Sequence, residues 1–170
     1  MDGEGIVMKI AVFCVGNRLM LDDGIGPAVY DELVERYEIP ENVDLYDLGC
    51  MTMKLISKVD EYDLIITVDA VDGTGAEAGT VFRYRPDDLA RTTSAMASLH
   101  ELKLVDLFDA AQLLGHSCEG ICYGMQIENM SPAELTEGLT PKVFERLPFL
   151  MESVVAELDR RGAKLTPKQV

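Results

Sequence analysis

The sequence contains, at residues 12–26, the stretch VFCVGNRLMLDDGIG, in which an apolar run leads into a glycine, a short loop and two adjacent carboxylates. The apolar run begins a little earlier, so residues 8–15 predict a strand buried on both faces of a parallel sheet. Either Asp22 or Asp23 can cap the helix that is expected to follow. Because ligands in open α/β sheets gather at the carboxyl ends of strands, Asp23 is the first candidate for a metal ligand.

Strands and helices alternate along the rest of the chain. Further strands are predicted at residues 42–48, 62–68, 79–84 and 118–126, and helices at residues 51–59, 98–115 and 141–161. This alternation predicts an α/β fold with three layers, in which an approximately five-stranded, mostly parallel, twisted sheet carries helices on both faces. We expect a single domain over residues 1–170, with a core at about 8–160 and short, loose termini.

The last predicted helix has two notable features. Thr140 is expected as its N-cap with proline following at the first helical position, and Pro148 should kink it. Its inward residues are predicted to be Val143, Leu147, Leu150, Val154 and Leu158. The tail after Gly162 is short and basic and is predicted to be loose.

The composition excludes several classes of partner. The 170 residues include 30 acidic and 15 basic ones and carry a formal net charge of −15, which argues against nucleic-acid binding because phosphate contacts need Lys and Arg. No apolar run reaches the ~20 residues that a membrane span requires. The acidic start of the chain does not resemble a secretory signal, so we expect a cytoplasmic protein.

Four cysteines are present, at positions 14, 50, 118 and 122, and none forms a C-x-x-C pair. In a cytoplasmic protein we expect them to be reduced. Cys118 and Cys122 are an even number of residues apart, so both should point to one face of their strand. That placement favours core packing over a thiolate site.

Three polar residues stand where an α/β fold exposes functional groups. Asp23 follows the first strand, Asp69 ends the third, and His100 opens the helix after the fourth. Two carboxylates and one imidazole suit a borderline divalent metal and leave coordination positions open. Such a site can polarise a peptide carbonyl group or lower the pKa of bound water.

Each of these residues, taken alone, also has a structural interpretation. Asp23 can be a helix N-cap, Asp69 can form a turn together with Asp72, and His100 can be an exposed residue of a first helical turn. Nucleotide binding is not expected, because Gly16 supplies only the middle glycine of a G-x-G-x-x-G fingerprint and no Walker lysine follows.

Taken in order, the motifs resemble those of the maturation endopeptidases of NiFe hydrogenases. Residues 14–26 match the family opening G-x-G-N-x-L-x-x-D-D/E-G-x-G, with Asp23 at the second acidic position. The later matches, in chain order, are Asp69-Ala70, Gly79-Thr80-Val81, Ser98-Leu99-His100, Gly124-Met125-Gln126-Ile127-Glu128 and Gly138-Leu139-Thr140-Pro141. The resemblance covers roughly residues 8–160. The Asp-Asp-Gly-Ile-Gly-Pro version of the opening is most similar to the branch that serves coenzyme F420-reducing hydrogenases.

The resemblance implies an endopeptidase that removes the C-terminal extension from the precursor of a hydrogenase large subunit after nickel insertion. Nickel held by the precursor would be recognised by Asp23, Asp69 and His100, which are also the implied catalytic residues. Cys14, Cys50 and Ile127 depart from the family pattern, where glycine, threonine and proline are usual, and Asp22 has no implied role. Two alternatives remain: a non-enzymatic nickel-binding or chaperone module for the precursor, and a nucleotide-binding regulator.

Overall fold

The main sheet of the protein has five strands, as the sequence predicts. The structure is a computed structural model that describes residues 7–49, 56–86, 113, 115 and 118–169. Its strands in chain order are β1 (Ile10–Val15), β2 (Tyr37–Glu38), β3 (Val43–Leu48), β4 (Leu64–Val71), β5 (Val81–Tyr84), β6 (Glu119–Gln126) and β7 (Thr166–Pro167). The main sheet has the order β3-β1-β4-β6-β5, in which only β5 runs antiparallel to its neighbour.

Helices cover both faces of this sheet, which confirms the predicted layers. The helices with described bounds are α1 (Ile25–Arg36), α2 (Ile56–Val59) and α3 (Pro141–Arg160), and a 3-10 turn (Leu21–Gly24) leads directly into α1. The apolar sides of α1 and α3 pack on one face of β1, β4 and β6. On the other face, Val59 of α2 packs with Phe13, Val15 and Ile65. The helix predicted at residues 98–115 lies outside the described residues apart from 113 and 115.

One strand boundary differs from the prediction in a way that matters for the site. The third predicted strand was expected to end at residue 68, but β4 continues to Val71 because its ladder with β6 continues. The amide of Ile127 donates to the carbonyl oxygen of Val71 at 3.0 Å and closes that ladder. Asp69 therefore lies within the strand and not in the turn after it.

The long helix α3 confirms the predicted apolar pattern. The expected inward residues are all buried: Val143, Leu147, Leu150, Val154 and Leu158. The helix is continuous past Pro148, and the kink stays a prediction. Thr140 is the N-cap residue as expected, but its side chain makes no capping hydrogen bond and is used elsewhere. None of the described helices is both long and apolar enough to cross a lipid bilayer.

The segment after Gly162 is packed, so the predicted loose C-terminus is wrong over residues 163–168. Ala163 and Leu165 are buried in the core next to α1 and α3. Beyond them, β7 pairs with β2, and the amide of Lys168 donates to the carbonyl oxygen of Arg36 at 2.9 Å. Burial of Leu165 and these backbone hydrogen bonds offset the entropy of ordering the tail.

A buried carboxylate joins α3 to the sheet. The side chain of Glu157 is 1% exposed, and it accepts hydrogen bonds from Tyr123 and Arg83 at 2.7 Å, from Arg161 at 2.9 Å and from Arg160 at 3.0 Å. Burial alone would raise the pKa of Glu157, but these four donors outweigh it and hold the pKa well below its usual range. The ionised form is therefore the one that the fold stabilises.

We expect Glu157→Gln to lower the free energy of unfolding at pH 7 by about 2 kcal/mol, because charge-assisted hydrogen bonds are lost while the shape is kept. The folded pKa lies below the unfolded value, so the contribution of Glu157 is complete above the unfolded pKa and is lost as pH falls towards the folded one. Urea unfolding at pH 7 and pH 3 should show a smaller acid destabilisation in the variant than in wild type. This role would be contradicted if the variant and wild type lost equal stability between pH 7 and pH 3. It would also be contradicted if Glu152→Gln, on the exposed side of α3, lowered the free energy of unfolding as much as Glu157→Gln.

Candidate active site

The loop after β1 is held tightly against the ends of two neighbouring strands. Gly16 has a φ of +146°, and a Cβ atom there would lie 1.9 Å from the carbonyl oxygen of Asp23. A Cβ atom on Gly26 would lie 2.3 Å from the carbonyl oxygen of Val15 and 2.8 Å from that of Val68. Only glycine permits these contacts, so the first turn of α1 packs directly on the end of β1 and on Val68 in the middle of β4.

Asp22 is the structural centre of this loop. It is fully buried, and its carboxylate accepts from the amides of Glu128, Asn129 and Thr140 at 2.8 to 3.0 Å. The Thr140 hydroxyl adds contacts at 2.9 and 3.1 Å. Asp22 thus connects the loop after β1 to the loop after β6 and to the start of α3. The sequence showed only two adjacent acids and gave no sign of this role, because the donors lie more than 100 residues away.

The backbone on either side strengthens this connection. Thr136 donates from its amide to the carbonyl oxygen of Leu19 at 2.8 Å, and the Leu21 amide donates to the carbonyl oxygen of Thr136 at 2.9 Å. Leu21 has a φ of +52°, which is unusual for a residue other than glycine and costs about 1 kcal/mol or more. The surrounding hydrogen bonds maintain this conformation, and it directs the two following carboxylates into the interior.

Asp23 contacts the loop at the carboxyl end of β1 and does not cap α1. The N-cap of α1 is Gly24, and no side chain makes a capping hydrogen bond there. Asp23 is 4% exposed, and its Oδ2 accepts from the amide of Asn17 at 3.0 Å. The structural alternative for this residue, a helix cap, is therefore wrong. Asp23 therefore contributes a buried carboxylate to the loop that follows β1.

Asp69 is a second buried carboxylate and lies near the carboxyl end of the neighbouring strand, β4. It is 3% exposed and lies on β4, the strand next to β1, in register with Gly124 of β6. Its Oδ1 accepts from the amide of Ala70 at 2.7 Å. This contact lies within the strand, so the predicted turn-forming role is wrong. The side chain shares its face of the sheet with Thr67 and Val71, because strand side chains alternate.

The third predicted ligand, His100, lies outside the described residues, as does Cys50. In the described part of the chain, no three His, Cys, Asp or Glu side chains are grouped so that they could hold a metal ion. Two of the three predicted ligands are described: Asp23 lies in the 3-10 turn that follows β1, and Asp69 lies two residues before the end of β4, the strand next to β1. Carboxylate oxygens are donors that a borderline divalent cation accepts.

Gln126 is a residue of the site region whose role was not predicted. It lies at the end of β6, is 6% exposed, and its Oε1 accepts from the amide of Thr74 at 3.1 Å. Its Nε2 donates to Oδ1 of Asp72 at 2.9 Å and to the carbonyl oxygen of Ile127 at 2.8 Å. Gln126 thereby fixes the turn that follows Asp69. The motif around Gln126 was noticed in the sequence, but its partner in the β4 turn was not foreseeable.

The cysteines that the structure describes do not form a reactive site. Cys14, Cys118 and Cys122 are not in disulfides, which agrees with the predicted reduced state. Cys118 and Cys122 both pack on the same face of the sheet, as predicted. Burial, helped by Asp63 and Glu119, raises the pKa of Cys118 to about 12, and burial also raises the pKa of Cys14. Both groups remain thiols at neutral pH.

The chain is similar to known proteins in sequence and in fold. The family model described as hydrogenase maturation protease (HycI) matches residues 27–157. The chain is 36% identical to the hydrogenase expression/formation protein HupD of Bradyrhizobium diazoefficiens over 95% of this chain and 87% of that protein. It is 29% identical to the hydrogenase 2 maturation protease of Escherichia coli over 95% of this chain and 98% of that protein.

A solved structure gives the same result for the fold. The hydrogenase maturating endopeptidase HybD from E. coli superposes with a TM-score of 0.83 at 29% identity, over 95% of this chain and 98% of that chain. These matches confirm the resemblance that the sequence motifs indicate, while the F420-related branch stays a prediction. On the family match and on the shared fold, the chain belongs to the hydrogenase maturation proteases and is a peptide hydrolase.

Proposed function

We propose that this enzyme removes the C-terminal extension from the precursor of a hydrogenase large subunit after nickel has been inserted. The observation that carries the proposal is the presence of two buried carboxylates near the carboxyl ends of the adjacent strands β1 and β4. Asp23 lies in the 3-10 turn that follows β1, and Asp69 lies two residues before the end of β4. Taking a carboxylate out of water is costly, and buried carboxylates close to the carboxyl ends of strands are candidates for binding or proton transfer. Membership of the maturation protease family supports a peptide as the substrate.

The proposed site consists of Asp23, Asp69 and His100. In this proposal the three residues bind the nickel that the precursor carries, which makes nickel part of the substrate and not a resident cofactor. Recognition of nickel in this way restricts cleavage to precursors that have received their metal. The carboxylates also serve hydrolysis, in which water adds to the peptide carbonyl carbon, the amine leaves with a proton and the precursor loses its extension.

The reaction can be followed directly by mass. We expect a catalytic amount of the protein to convert nickel-loaded precursor into a shorter subunit and a released C-terminal peptide, both detected by mass spectrometry. Metal-free precursor should remain uncut under the same conditions. A family protease known to process that precursor serves as the positive control. An intact precursor, alongside cleavage by the control protease, would reject the proposed activity.

The same assay distinguishes the alternative of a non-enzymatic nickel-binding or chaperone module. Such a module binds the precursor in a fixed ratio and releases no peptide, whereas an enzyme processes many precursors per molecule. That the reaction takes place in the cytoplasm remains a prediction from the sequence. The identity of the partner hydrogenase follows from which precursor is cut.

A further inference from the structure

A cavity of about 500 Å³ lies at the β5 edge of the sheet, between the segment before β5 and the start of α3. Its charged and aromatic lining residues are Glu77, Lys142, Glu145, Arg146 and Phe149. Gly79 also lines it, and the Gly79 amide donates to the carbonyl oxygen of Gln126, the last residue of β6, at 2.7 Å. The cavity therefore lies at the carboxyl end of β6, the strand that pairs with β4.

Arg146 is held in this cavity by contacts along its whole side chain. Its Nε donates to the carbonyl oxygen of Gly79 at 3.2 Å, and its guanidinium carbon lies 4.4 Å from the ring centroid of Phe149. Gly79 has a φ of +94°, and a Cβ atom there would lie 2.6 Å from Cγ of Arg146. Glycine at this position thus lets the arginine side chain lie against the backbone, which gives the Gly79-Thr80-Val81 motif a physical role.

No carboxylate pairs with Arg146 in the part of the chain that the structure describes. Other described arginines each form an ion pair there: Arg18, Arg36, Arg83, Arg160 and Arg161. Arg146 instead uses only Nε, on a backbone carbonyl group, so its two terminal NH2 groups have no protein partner among the described residues. Lys142 has no ion pair there either, although Glu77 and Glu145 also line the cavity. The cavity thus contains an oriented guanidinium group whose charge is not neutralised.

The chemistry of this cavity favours a carboxylate ligand. The N–H groups of a guanidinium match a carboxylate with two parallel hydrogen bonds, and stacking on Phe149 fixes the plane in which they point. Because the protein has a formal net charge of −15, its field repels anions over most of the surface. Every C-terminal extension ends in an α-carboxylate, whatever its sequence, and this group distinguishes it from an internal segment of the precursor.

We propose that Arg146, together with Lys142, binds the α-carboxylate at the end of the extension that the enzyme removes. This assignment rests on the proposed function and deepens it, because it adds a binding site for the free chain end to the site that cuts. Two strand spacings, about 10 Å, separate β5 from β4, and roughly five residues of extended chain cover that lateral separation. Recognition of the free end selects a terminal extension over an internal loop.

Two forms of nickel-loaded precursor test the assignment, one with its natural C-terminus and one whose terminal carboxylate is converted to an amide by peptide ligation. We expect KM for the amide to be about tenfold higher, because charge-assisted hydrogen bonds are lost. The value of kcat should change less than about twofold, because the contact is remote from the reacting bond. Arg146→Gln should raise KM for the natural precursor by a similar factor and should no longer distinguish the two forms, since both changes remove the same contact.

Lys164→Gln is the matched control, because it also removes one positive charge, from an exposed residue outside the cavity. It should keep the wild-type KM and the same preference for the free C-terminus. Arg146→Lys keeps the charge without the planar fork and should lie between wild type and Arg146→Gln. If wild type cleaves both forms with equal KM, or if Arg146→Gln keeps the full preference, this assignment is overturned and the proposed function stands. If wild type cleaves neither form, both are rejected.

Discussion

Replacing Asp69 with asparagine should lower the rate of precursor cleavage by at least about 1,000-fold, the range expected for loss of a proton-transferring or ligand carboxylate. The variant should remain folded. Asparagine has the shape of aspartate, and its amide oxygen can still accept the hydrogen bond that the Ala70 amide donates at 2.7 Å. The change thus removes the charge of Asp69 and leaves its packing in β4 intact. Single-turnover cleavage of nickel-loaded precursor measures the effect.

Asp72→Asn is the matched control for this prediction. Asp72 is exposed, lies three residues after Asp69, and accepts from the amide of Gly73 at 2.8 Å and from Gln126 at 2.9 Å. Its replacement should change the rate only a few-fold. The Asp23→Asn variant should behave like Asp69→Asn, since an amide oxygen can still accept from Asn17. Cleavage by the Asp69 variant at a rate close to that of the Asp72 control would remove Asp69 from the site.

The sheet was predictable because its strands are strongly apolar. The central strands β1 and β4 are buried on both faces, and continuous apolar runs of this kind are typical of parallel strands. The predicted strand ended too early, at residue 68, because Asp69 interrupts the apolar run of residues. The strand is prolonged by hydrogen bonds to β6, and the hydrophobic pattern carries no information about such bonds. The sequence thus associated Asp69 with the correct strand, but placed it in the turn after that strand and not within it.

The residues that the sequence did not explain depend on distant partners. Glu157 lies on the inward side of α3, where the helical pattern predicts apolar residues, and it is stable there because Arg83 and Tyr123 reach it from the sheet. Asp22 and Asp23 are adjacent, and the chain offered no means to separate their roles. The two residues differ in the groups that donate hydrogen bonds to them. Asp22 accepts from Thr140 at the start of α3, whereas Asp23 accepts from Asn17 in the loop after β1.

Asp22→Ala should lower the free energy of unfolding by about 4 kcal/mol, because it leaves several buried donors without the charged acceptor they share. The amides of Glu128, Asn129 and Thr140 all donate to this one carboxylate. Chemical denaturation with circular dichroism measures the loss. Asp31→Ala is the control, since Asp31 is a half-exposed residue of α1 that pairs with Arg18. Its removal should cost at most about 1 kcal/mol.

The loss of unfolding free energy in Asp22→Asn should lie between the losses in Asp31→Ala and Asp22→Ala. Asparagine keeps one acceptor oxygen, but its amide NH2 group then faces other hydrogen-bond donors. The expected order of decreasing stability is wild type, Asp31→Ala, Asp22→Asn and Asp22→Ala, because Asp22 is buried with several donors and Asp31 is half-exposed. Equal denaturation midpoints for Asp22→Ala and wild type would show that the carboxylate does not hold the loop. With the predicted loss, Asp22 maintains the fold of the loop after β1, whereas the proposed function assigns its neighbour Asp23 to the reaction. Two identical side chains next to each other in the sequence would then have different roles, because different groups donate to them.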